Sequence, residues 1–365
     1  MKLKNKKVVI LHQEVSADST PDELDVLDQV KWVKVTLREM GYDPIDLALT
    51  LEFEEISRNL RAIAPLFVFN LVESIAGKGQ FIHLAPLLLD ELQIPYTGCS
   101  AKSLALTSNK PLAKKKLRAT GLATPEWVSN AKDAVLINEP YIIKAVWEHA
   151  SVGLSNESIF VPQEVGTLYQ KILETSRKMG LVHFAERYIH GREFNVALLG
   201  GTPLPASEIR FLDKTATSGA YQVLGYRAKW DETSQEYQCA LPSFEFSVDD
   251  LGLVSELSEM AKKCWTVFGL RGYARVDFRI DPTGRPWILE VNANPCLTPG
   301  SGFHNATLQA GIAFSEVIQS LIQEMNQRPK SKKPQTSRYS NKKSARIAKV
   351  QPKHQTVRWP GLGFL

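Results

Sequence analysis

The strongest constraint on the fold is a predicted β-hairpin in the last third of the chain. Residues 273–280 and 285–295 are rich in β-forming apolar side chains, and Asp-Pro-Thr-Gly at 281–284 separates them. A turn sequence between two such runs predicts two antiparallel strands. Because side chains alternate across a strand, Arg275, Asp277 and Arg279 share one face, opposite the apolar residues. The hairpin therefore has one apolar and one charged face.

The charged face of this hairpin is the main candidate for chemistry. On the second strand, alternation predicts that Ile288, Glu290 and Asn292 share one face. If the register brings Asp277 next to Glu290, two carboxylates and an amide oxygen gather beside Arg275. Such oxygen ligands suit Mg²⁺, which keeps several waters and bridges nucleotide phosphates, and the arginine can hold phosphate oxygens. The alternative is a two-stranded ribbon whose polar face is simply solvated.

The first hundred residues alternate between strand and helix patterns. Residues 7–11 and 65–71 are short apolar runs of the β type, and residues 94–98 form a third run that ends in a turn. Apolar spacing predicts helices at 22–40 and 81–93. Strands that alternate with helices imply a parallel sheet covered on both faces.

The pattern changes in the middle of the chain, where a smaller unit is indicated. From residue 184 the predicted strands become longer and more closely spaced. The remaining predicted elements are a helix at 109–120, strands around Trp127 and at 141–144, a mobile loop at 148–158, and helices at 248–268 and 303–326.

Charge is unevenly distributed along the chain. The 365 residues carry a net charge of +5, but residues 328–365 contain seven lysines, four arginines and no acid. The other residues therefore have 33 basic and 39 acidic side chains, which gives no reason to expect nucleic-acid binding by the folded part. We expect the basic tail to be largely disordered and to aid solubility. Contact of the tail with nucleic acid or anionic lipid is the alternative.

Other features of the composition indicate a cytoplasmic protein. The longest apolar run, residues 84–89, is far shorter than the roughly 18 residues that a membrane-spanning helix needs, and no signal-like segment follows Met1. The four cysteines are scattered and form no C-x-x-C pair, so we expect reduced thiols. Membrane insertion is not expected.

Several short motifs occur in an order and spacing that are specific when taken together. They are Ile-Pro-Tyr-Thr-Gly at 94–98, Ser-Asn-Lys at 108–110, Ile-Ile-Lys at 142–144, and the segments 148–155, 186–193, 228–229 and 275–301. With these motifs the sequence resembles the ATP-grasp superfamily, and more closely the D-alanine:D-alanine ligase family, over residues 7–325.

The resemblance implies an α/β fold that becomes α+β in its ATP-grasp part. A Rossmann-like domain at residues 1–107, with a parallel sheet and flanking helices, would precede a small central subdomain at 108–182. A larger C-terminal subdomain at 183–327 would carry the metal site, and the basic tail at 328–365 would follow. The two subdomains would sandwich ATP between antiparallel sheets.

The resemblance also implies a site for ATP and Mg²⁺, with Mn²⁺ as a substitute metal. It assigns Lys110 and Lys144 to phosphates, Glu186, Tyr188 and Ile189 to adenine, Glu193 to ribose, Lys229 and Arg275 to phosphates as the catalytic cations, and Asp277, Glu290 and Asn292 to the metal. These roles agree with the chemistry of a nucleotide, whose phosphates need cations and whose base needs an apolar slot.

The implied activity is the ligation of a carboxylate to an amine. ATP would phosphorylate the carboxylate, and an amine would attack the acyl phosphate, so no protein nucleophile is needed. Amino acids or small carboxylates would be the substrates, and the resemblance favours a homodimer. Two alternatives are an ATP-grasp ligase for another amino acid or carboxylate, and an ATP-binding protein that has lost ligation and binds a partner.

The sequence departs from the family pattern in the half of the site that would hold the amino acid. Ala150 replaces the first serine of the E-G-S-S-x-G loop, Trp230 replaces a tyrosine, and Glu73 replaces a histidine. Glu14 and Ser301 are the candidate substrate contacts. The alternatives are a solvated loop carboxylate for Glu14 and a helix N-cap for Ser301.

Overall fold

A computed structural model describes residues 6–212 and 221–328 of the chain. Three sheets follow one another along these residues, one parallel and two antiparallel. The expected mixed α/β architecture is confirmed. The basic tail beyond residue 328 lies outside the described residues. Within the described ranges, no helix has both the length and the apolar content to cross a bilayer.

The N-terminal sheet has three parallel strands in the order β2-β1-β3. Its elements are β1 (Lys7–Gln13), α1 (Pro21–Glu39), β2 (Asp43–Leu49), α2 (Phe53–Ile63), β3 (Val68–Asn70), α3 (Leu84–Glu91) and α4 (Ala101–Ser108). β1 is buried on both faces, which explains its uninterrupted apolar run. The predicted strand at 94–98 is only a bridge between Tyr96 and Val68, because Pro95 has no N–H to continue the ladder.

The central sheet has four antiparallel strands in the order β4-β7-β5-β6. Its elements are α5 (Lys110–Ala119), β4 (Trp127–Val128), β5 (Tyr141–Ala145), β6 (Ile159–Phe160), α6 (Thr167–Met179) and β7 (His183–Arg187). β7 pairs with β4 and β5, so this sheet continues past residue 182, where the predicted subdomain boundary falls. The Asn109 side chain accepts a hydrogen bond from the Leu112 N–H at 3.0 Å, which fixes Lys110 at the start of α5.

The C-terminal sheet is antiparallel and contains the predicted hairpin. Its elements are β8 (Arg192–Leu199), β9 (Thr202–Pro203), β10 (Ser207–Phe211), α7 (Arg227–Trp230), α8 (Gln235–Cys239), β11 (Ala240–Ser243), α9 (Leu251–Phe268), β12 (Tyr273–Ile280) and β13 (Pro286–Asn292). β12 lies between β8 and β13. Leu257 and Cys264 of α9 belong to the same apolar core as Val276 and Phe278 of β12. The apolar face of the hairpin is therefore covered, and its charged face is left for the site.

The pairing of β12 with β13 contains a one-residue register shift. Asp277 lies opposite Glu290, whereas Phe278 lies opposite Ile288, so Leu289 forms a bulge. Glu290 consequently shares the charged face with Asp277, while Ile288 is fully buried in the core. The expectation that Ile288 and Glu290 share a face is wrong, because the bulge reverses the alternation between them.

Two helices at the end of the described chain, α10 (Gly302–Gln309) and α11 (Phe314–Asn326), complete the fold. The prediction of one helix over 303–326 is wrong, because Gly311 adopts a φ of +71° and ends the first helix there. α11 shares a core with β1, in which Ile318 packs with Val8 and Ile10. The last helices therefore join the hairpin to the N-terminal sheet.

The close approach at Gly191 can be tested by substitution. Gly191 has a φ of +119°, and a Cβ built on it would lie 2.0 Å from the Ile280 carbonyl oxygen. We expect Gly191→Ala to lower the free energy of unfolding by about 2–5 kcal/mol, from backbone strain and overlap together, as measured by urea titration. Gly121→Ala is the control, because its φ is +77° but no atom lies within 4 Å of the added Cβ. Equal losses of unfolding free energy in the two variants would contradict the close contact between Gly191 and the Ile280 carbonyl.

Candidate active site

A cavity of about 650 Å³ is lined by residues of both antiparallel sheets. Twelve of the thirteen predicted site residues line it: Lys110, Lys144, Glu186, Tyr188, Ile189, Glu193, Lys229, Arg275, Asp277, Glu290, Asn292 and Ser301. Glu14 is exposed beyond the end of β1 and is not part of this lining. The structure therefore brings together every predicted nucleotide and metal residue, although these residues lie far apart in the sequence.

The charged face of the hairpin forms one wall of the cavity. Arg275 donates to both carboxylate oxygens of Asp277, from Nε at 2.7 Å and from Nη2 at 2.8 Å. Glu290 lies opposite Asp277, and its Oε2 is 3.6 Å from Nζ of Lys110. The Lys110 ammonium also donates to the backbone carbonyl of Glu148 at 2.5 Å. Lys110 thus links the start of α5, the loop after β5 and the hairpin.

The electrostatic environment keeps Glu290 ionised. Burial by itself favours the neutral acid, but Lys110, Lys229 and Arg275 outweigh it and hold the pKa of Glu290 well below its usual range. Lys229 is different, because burial and the nearby Arg275 both lower the pKa of its ammonium. The ammonium of Lys229 makes no hydrogen bond or ion pair with any residue that the structure describes. A desolvated ammonium without a partner is costly, so this position favours a bound anion.

The proposed magnesium site can be judged by comparing its donor atoms with those that Mg²⁺ prefers. Its three side chains are Asp277, Glu290 and Asn292. Across residues 6–212 and 221–328, no three His, Cys, Asp or Glu side chains form a group that could hold a metal ion by themselves. Two carboxylates and one amide oxygen nevertheless fit Mg²⁺, which takes its other ligands from water and phosphate. The backbone N–H of Asn294 donates to Oδ1 of Asn292 at 3.0 Å and fixes the orientation of that amide.

A buried carboxylate and two lysines connect the central sheet to α5. Oε1 of Glu186 is 2.6 Å from Nζ of Lys144, and Oε2 is 2.5 Å from Nζ of Lys114. Burial disfavours the charge on Glu186, but the two ammonium groups outweigh it and lower the pKa of the carboxyl. Burial also lowers the pKa of Lys114 despite this ion pair. Glu186 therefore holds the lysines in place, in addition to lining the region predicted for adenine.

Lys114 also stabilises the bulge, and sequence reasoning missed it. Its ammonium donates to the Leu289 carbonyl at 3.2 Å and to the Thr124 hydroxyl at 3.0 Å. The Thr124 hydroxyl donates in turn to the Ile288 carbonyl at 2.8 Å. Its position four residues after Lys110, on the same face of α5, was the available signal.

Arg279 is a second residue that the predicted set lacks. Its Nη2 and Nε lie 2.8 and 3.0 Å from Oε2 of Glu193, and it is 4% exposed. It also donates to the Tyr188 hydroxyl at 3.2 Å and to the Gln222 carbonyl at 2.5 Å. Glu193, predicted to contact ribose, is therefore held by this arginine, and the segment at Gln222 is tied to the same wall.

The loop at residues 148–154 closes one side of the cavity. Ala150 and Ser151 have φ values of +58° and +61°, a strained region for residues other than glycine. The indole N–H of Trp230 donates to the Ala150 carbonyl at 3.1 Å, and the Ser151 hydroxyl donates to the Leu224 carbonyl at 2.9 Å. The two departures from the family pattern, at Ala150 and Trp230, thus contact each other and hold the loop.

His149 lies in this loop and faces the charged groups of the hairpin. Burial is the main reason that its pKa falls to about 4, and the neighbouring Lys110 adds to the effect. Its buried Nδ1 has no hydrogen-bond partner in the described part of the chain. Neutral His149 therefore presents a polar atom to the cavity, a feature that sequence reasoning did not single out.

The far end of the cavity is lined by acidic residues of the N-terminal sheet and α1. Asp25, Asp28 and Glu73 all line it. Asp25 accepts hydrogen bonds from the Cys296 thiol at 2.9 Å and the Thr298 hydroxyl at 3.1 Å, which join α1 to the segment after β13. None of these acids was in the predicted set, because their proximity depends on contacts between distant segments.

Ser301 is both a helix cap and part of the cavity wall. Its Oγ accepts a hydrogen bond from the His304 N–H at 3.3 Å and donates to the Cys296 carbonyl at 2.9 Å. The N-cap role that the sequence left open is therefore present.

The sequence and the fold are similar to those of known proteins. Residues 112–323 match the family model described as D-ala D-ala ligase C-terminus. A D-alanine–D-alanine ligase from Synechococcus sp. is 31% identical over 261 residues, 68% of this chain and 74% of the relative. The corresponding Aquifex aeolicus protein is 28% identical over 297 residues, 80% of this chain and 92% of the relative. The Bacillus anthracis ligase crystallised with ATP is 20% identical, with a TM-score of 0.66 over 88% of this chain and 97% of that protein.

Replacing Lys114 tests whether the buried ion pairs support the site. Lys114→Met would leave Glu186 with one cation and the Leu289 carbonyl without its donor, so we expect a loss of about 3–5 kcal/mol in unfolding free energy. Urea denaturation measures this loss. Lys115→Met, the same change at the neighbouring exposed position, should be almost neutral. If the two variants were equally stable, the proposed support of the bulge by Lys114 would be refuted.

Proposed function

The chain belongs to the D-alanine–D-alanine ligase family, and on this basis we propose that it joins a carboxylate to an amine with consumption of ATP. The observation that carries the proposal is the register pair of Asp277 and Glu290, next to Lys110, Arg275 and Lys229 in one cavity. Two carboxylates with excess cations around them suit a magnesium-bound triphosphate. ATP and Mg²⁺ are accordingly the cosubstrate and the metal.

The nucleotide would occupy the part of the cavity between the two antiparallel sheets. Tyr188 and Ile189 are mostly buried beside the segment at Gln222 and would form the wall of the adenine slot. Lys144 and Lys110 would contact the phosphates. Each ammonium is oriented before the anion binds. Glu186 holds that of Lys144, and the Glu148 carbonyl holds that of Lys110.

The metal would be held by Asp277, Glu290 and Asn292. Bound Mg²⁺ neutralises charge on the phosphates and polarises them for transfer. Arg275 is fixed by its two bonds to Asp277, so its position needs little reorganisation during the reaction. The Lys229 ammonium has no partner among the described residues and would contact the transferred phosphoryl group.

Water must be kept from an acyl phosphate, and the loop at 148–154 would do this. The bonds from Trp230 and Ser151 hold the loop over the cavity from one side, and the Gly79 N–H donates to Glu148 from the other at 3.4 Å. Exclusion of water also strengthens the interactions of the cations with the phosphates. No protein nucleophile is required for this chemistry.

D-alanine is the first substrate to test, because it is the substrate in the names of the relatives. The changes at Glu73, Ala150 and Trp230 all lie in the part of the site that would hold the amino acid, so another amino acid or small carboxylate is the second candidate. Homodimer formation stays a prediction. A role for the basic tail in binding nucleic acid or lipid also stays a prediction.

Removing Glu290 tests the proposed function. We expect Glu290→Ala to lower ADP formation by at least about 100-fold, because a metal ligand and a buried charge are lost together. A coupled ADP assay with ATP, Mg²⁺ and a panel of D- and L-amino acids measures it.

Glu256→Ala, on the exposed face of α9, is the control and should match the wild type. Circular dichroism checks that both variants fold. Undiminished turnover in Glu290→Ala would contradict the metal site. The wild-type chain could also bind ATP but form ADP with none of the amino acids in the panel. That result would support the alternative of a binding protein without ligase activity.

A further inference from the structure

Glu73 is a half-buried carboxylate in the cavity, and the proposed reaction does not yet use it. It follows β3 and lines the same cavity as Arg275 and Glu290. Its backbone N–H donates to Oε1 of Gln13 at 3.1 Å, which fixes the main chain at this point. The preceding residue, Val72, accepts a hydrogen bond from Nδ2 of Asn294 at 3.1 Å. Glu73 is therefore held beside the end of the catalytic hairpin.

The two oxygens of this carboxylate have different surroundings. Oε1 accepts a hydrogen bond from Nε2 of Gln29 at 2.8 Å. Oε2 makes no hydrogen bond within residues 6–212 and 221–328. A carboxylate oxygen that faces a cavity is free to accept a hydrogen bond from a bound donor or cation. In the cavity, that donor can come from a ligand.

The groups facing Glu73 make a positively charged ligand favourable. From α1, Asp22 and Asp25 act on it, and both are acidic. From the hairpin and the segment after it, the Tyr273 phenol and the Cys296 thiol face it, and the pKa of each is raised well above its usual range, mainly by burial. Both are thus neutral near neutral pH. Burial is the main reason that the pKa of Glu73 rises to about 7.

We propose that Glu73 binds the ammonium group of the amine substrate and removes one proton from it. This inference rests on the proposed ligase function and adds a catalytic residue to it. An ammonium group has no lone pair and cannot attack an acyl phosphate, so a ligase that takes an amino acid needs a proton acceptor at this position. Glu73 is a carboxylate in the cavity with a free oxygen and with no cation among the groups described above.

The reaction of the amine begins with a proton transfer. The Glu73 carboxylate takes one proton from R–NH₃⁺, which gives the neutral acid and R–NH₂. The amine lone pair forms a bond to the acyl carbon, and the bond from that carbon to the phosphate oxygen breaks. The departing phosphate takes the second proton of the nitrogen and leaves as HPO₄²⁻. Glu73 then returns its proton to solvent.

The expected pH dependence of amide formation follows from the raised pKa of Glu73. Only ionised Glu73 can accept a proton, and its pKa is near 7. Amide formation should therefore rise as the pH increases through this range and level off above it. A bound ammonium would favour the ionised form and move this rise to lower pH.

Glu73→Gln is the test, because the amide keeps the oxygen that accepts from Gln29 but cannot take a proton. The probes are D-alanine as carboxylate and amine, with ATP and Mg²⁺, and hydroxylamine as a second nucleophile. Hydroxylamine is uncharged at neutral pH and needs no base. We expect amide formation by Glu73→Gln to fall about 100-fold or more and to lose the rise with pH that the wild type shows. Hydroxamate formation should be unchanged.

Glu91→Gln, an exposed position at the end of α3, is the matched control and should behave as the wild type in both assays. A structural role for Glu73 would lower amide and hydroxamate formation together and keep the pH profile, and this result would overturn the proposal. Wild-type activity in Glu73→Gln would also overturn it. Failure of the wild type to form either product with D-alanine or any other amino acid would instead overturn the ligase function on which the proposal rests.

Discussion

The bulge at Leu289 sets the position of the proposed metal ligands. With regular alternation, the face that buries Ile288 would also bury Glu290, and the carboxylate would point into the apolar core. The extra residue turns Glu290 toward Asp277 while Ile288 keeps its place in that core. The bulge leaves backbone carbonyls without partners in the ladder, and Lys114 and Thr124 donate to them. The geometry of the metal site thus depends on a helix of the central unit.

Lys114 also connects the two halves of the nucleotide site through charge. It contacts Glu186 on one side and the bulge on the other, so the wall proposed for adenine and the wall proposed for metal share one buried residue. The remaining cations are arranged differently. Arg275 is already paired with Asp277, whereas the Lys229 ammonium is desolvated and has no partner within the described residues. The free ammonium is therefore the group most ready to meet an incoming phosphate.

The sequence allowed the hairpin, the fold class and most of the residues that line the cavity to be predicted, because periodicity and motif order are local signals. The bulge could not be predicted in this way, since the groups that satisfy it, on Lys114 and Thr124, are more than 160 residues away. The same reason explains why neither Glu73 nor Asp25 was among the predicted site residues, as their surroundings are formed by contacts between distant segments. The break at Gly311 is a different case. A glycine at that point was a visible signal for the end of a helix.

The central claim is that Asp277 and Glu290, aligned by the bulge, hold the metal of a bound nucleotide. Crystals grown with Mn²⁺ and a non-hydrolysable ATP analogue test this most directly, because anomalous scattering locates manganese without reference to the surrounding density. The account predicts an anomalous peak between the two carboxylates, with the phosphates directed toward Lys229. A nucleotide bound in the cavity with its manganese on other side chains would contradict it.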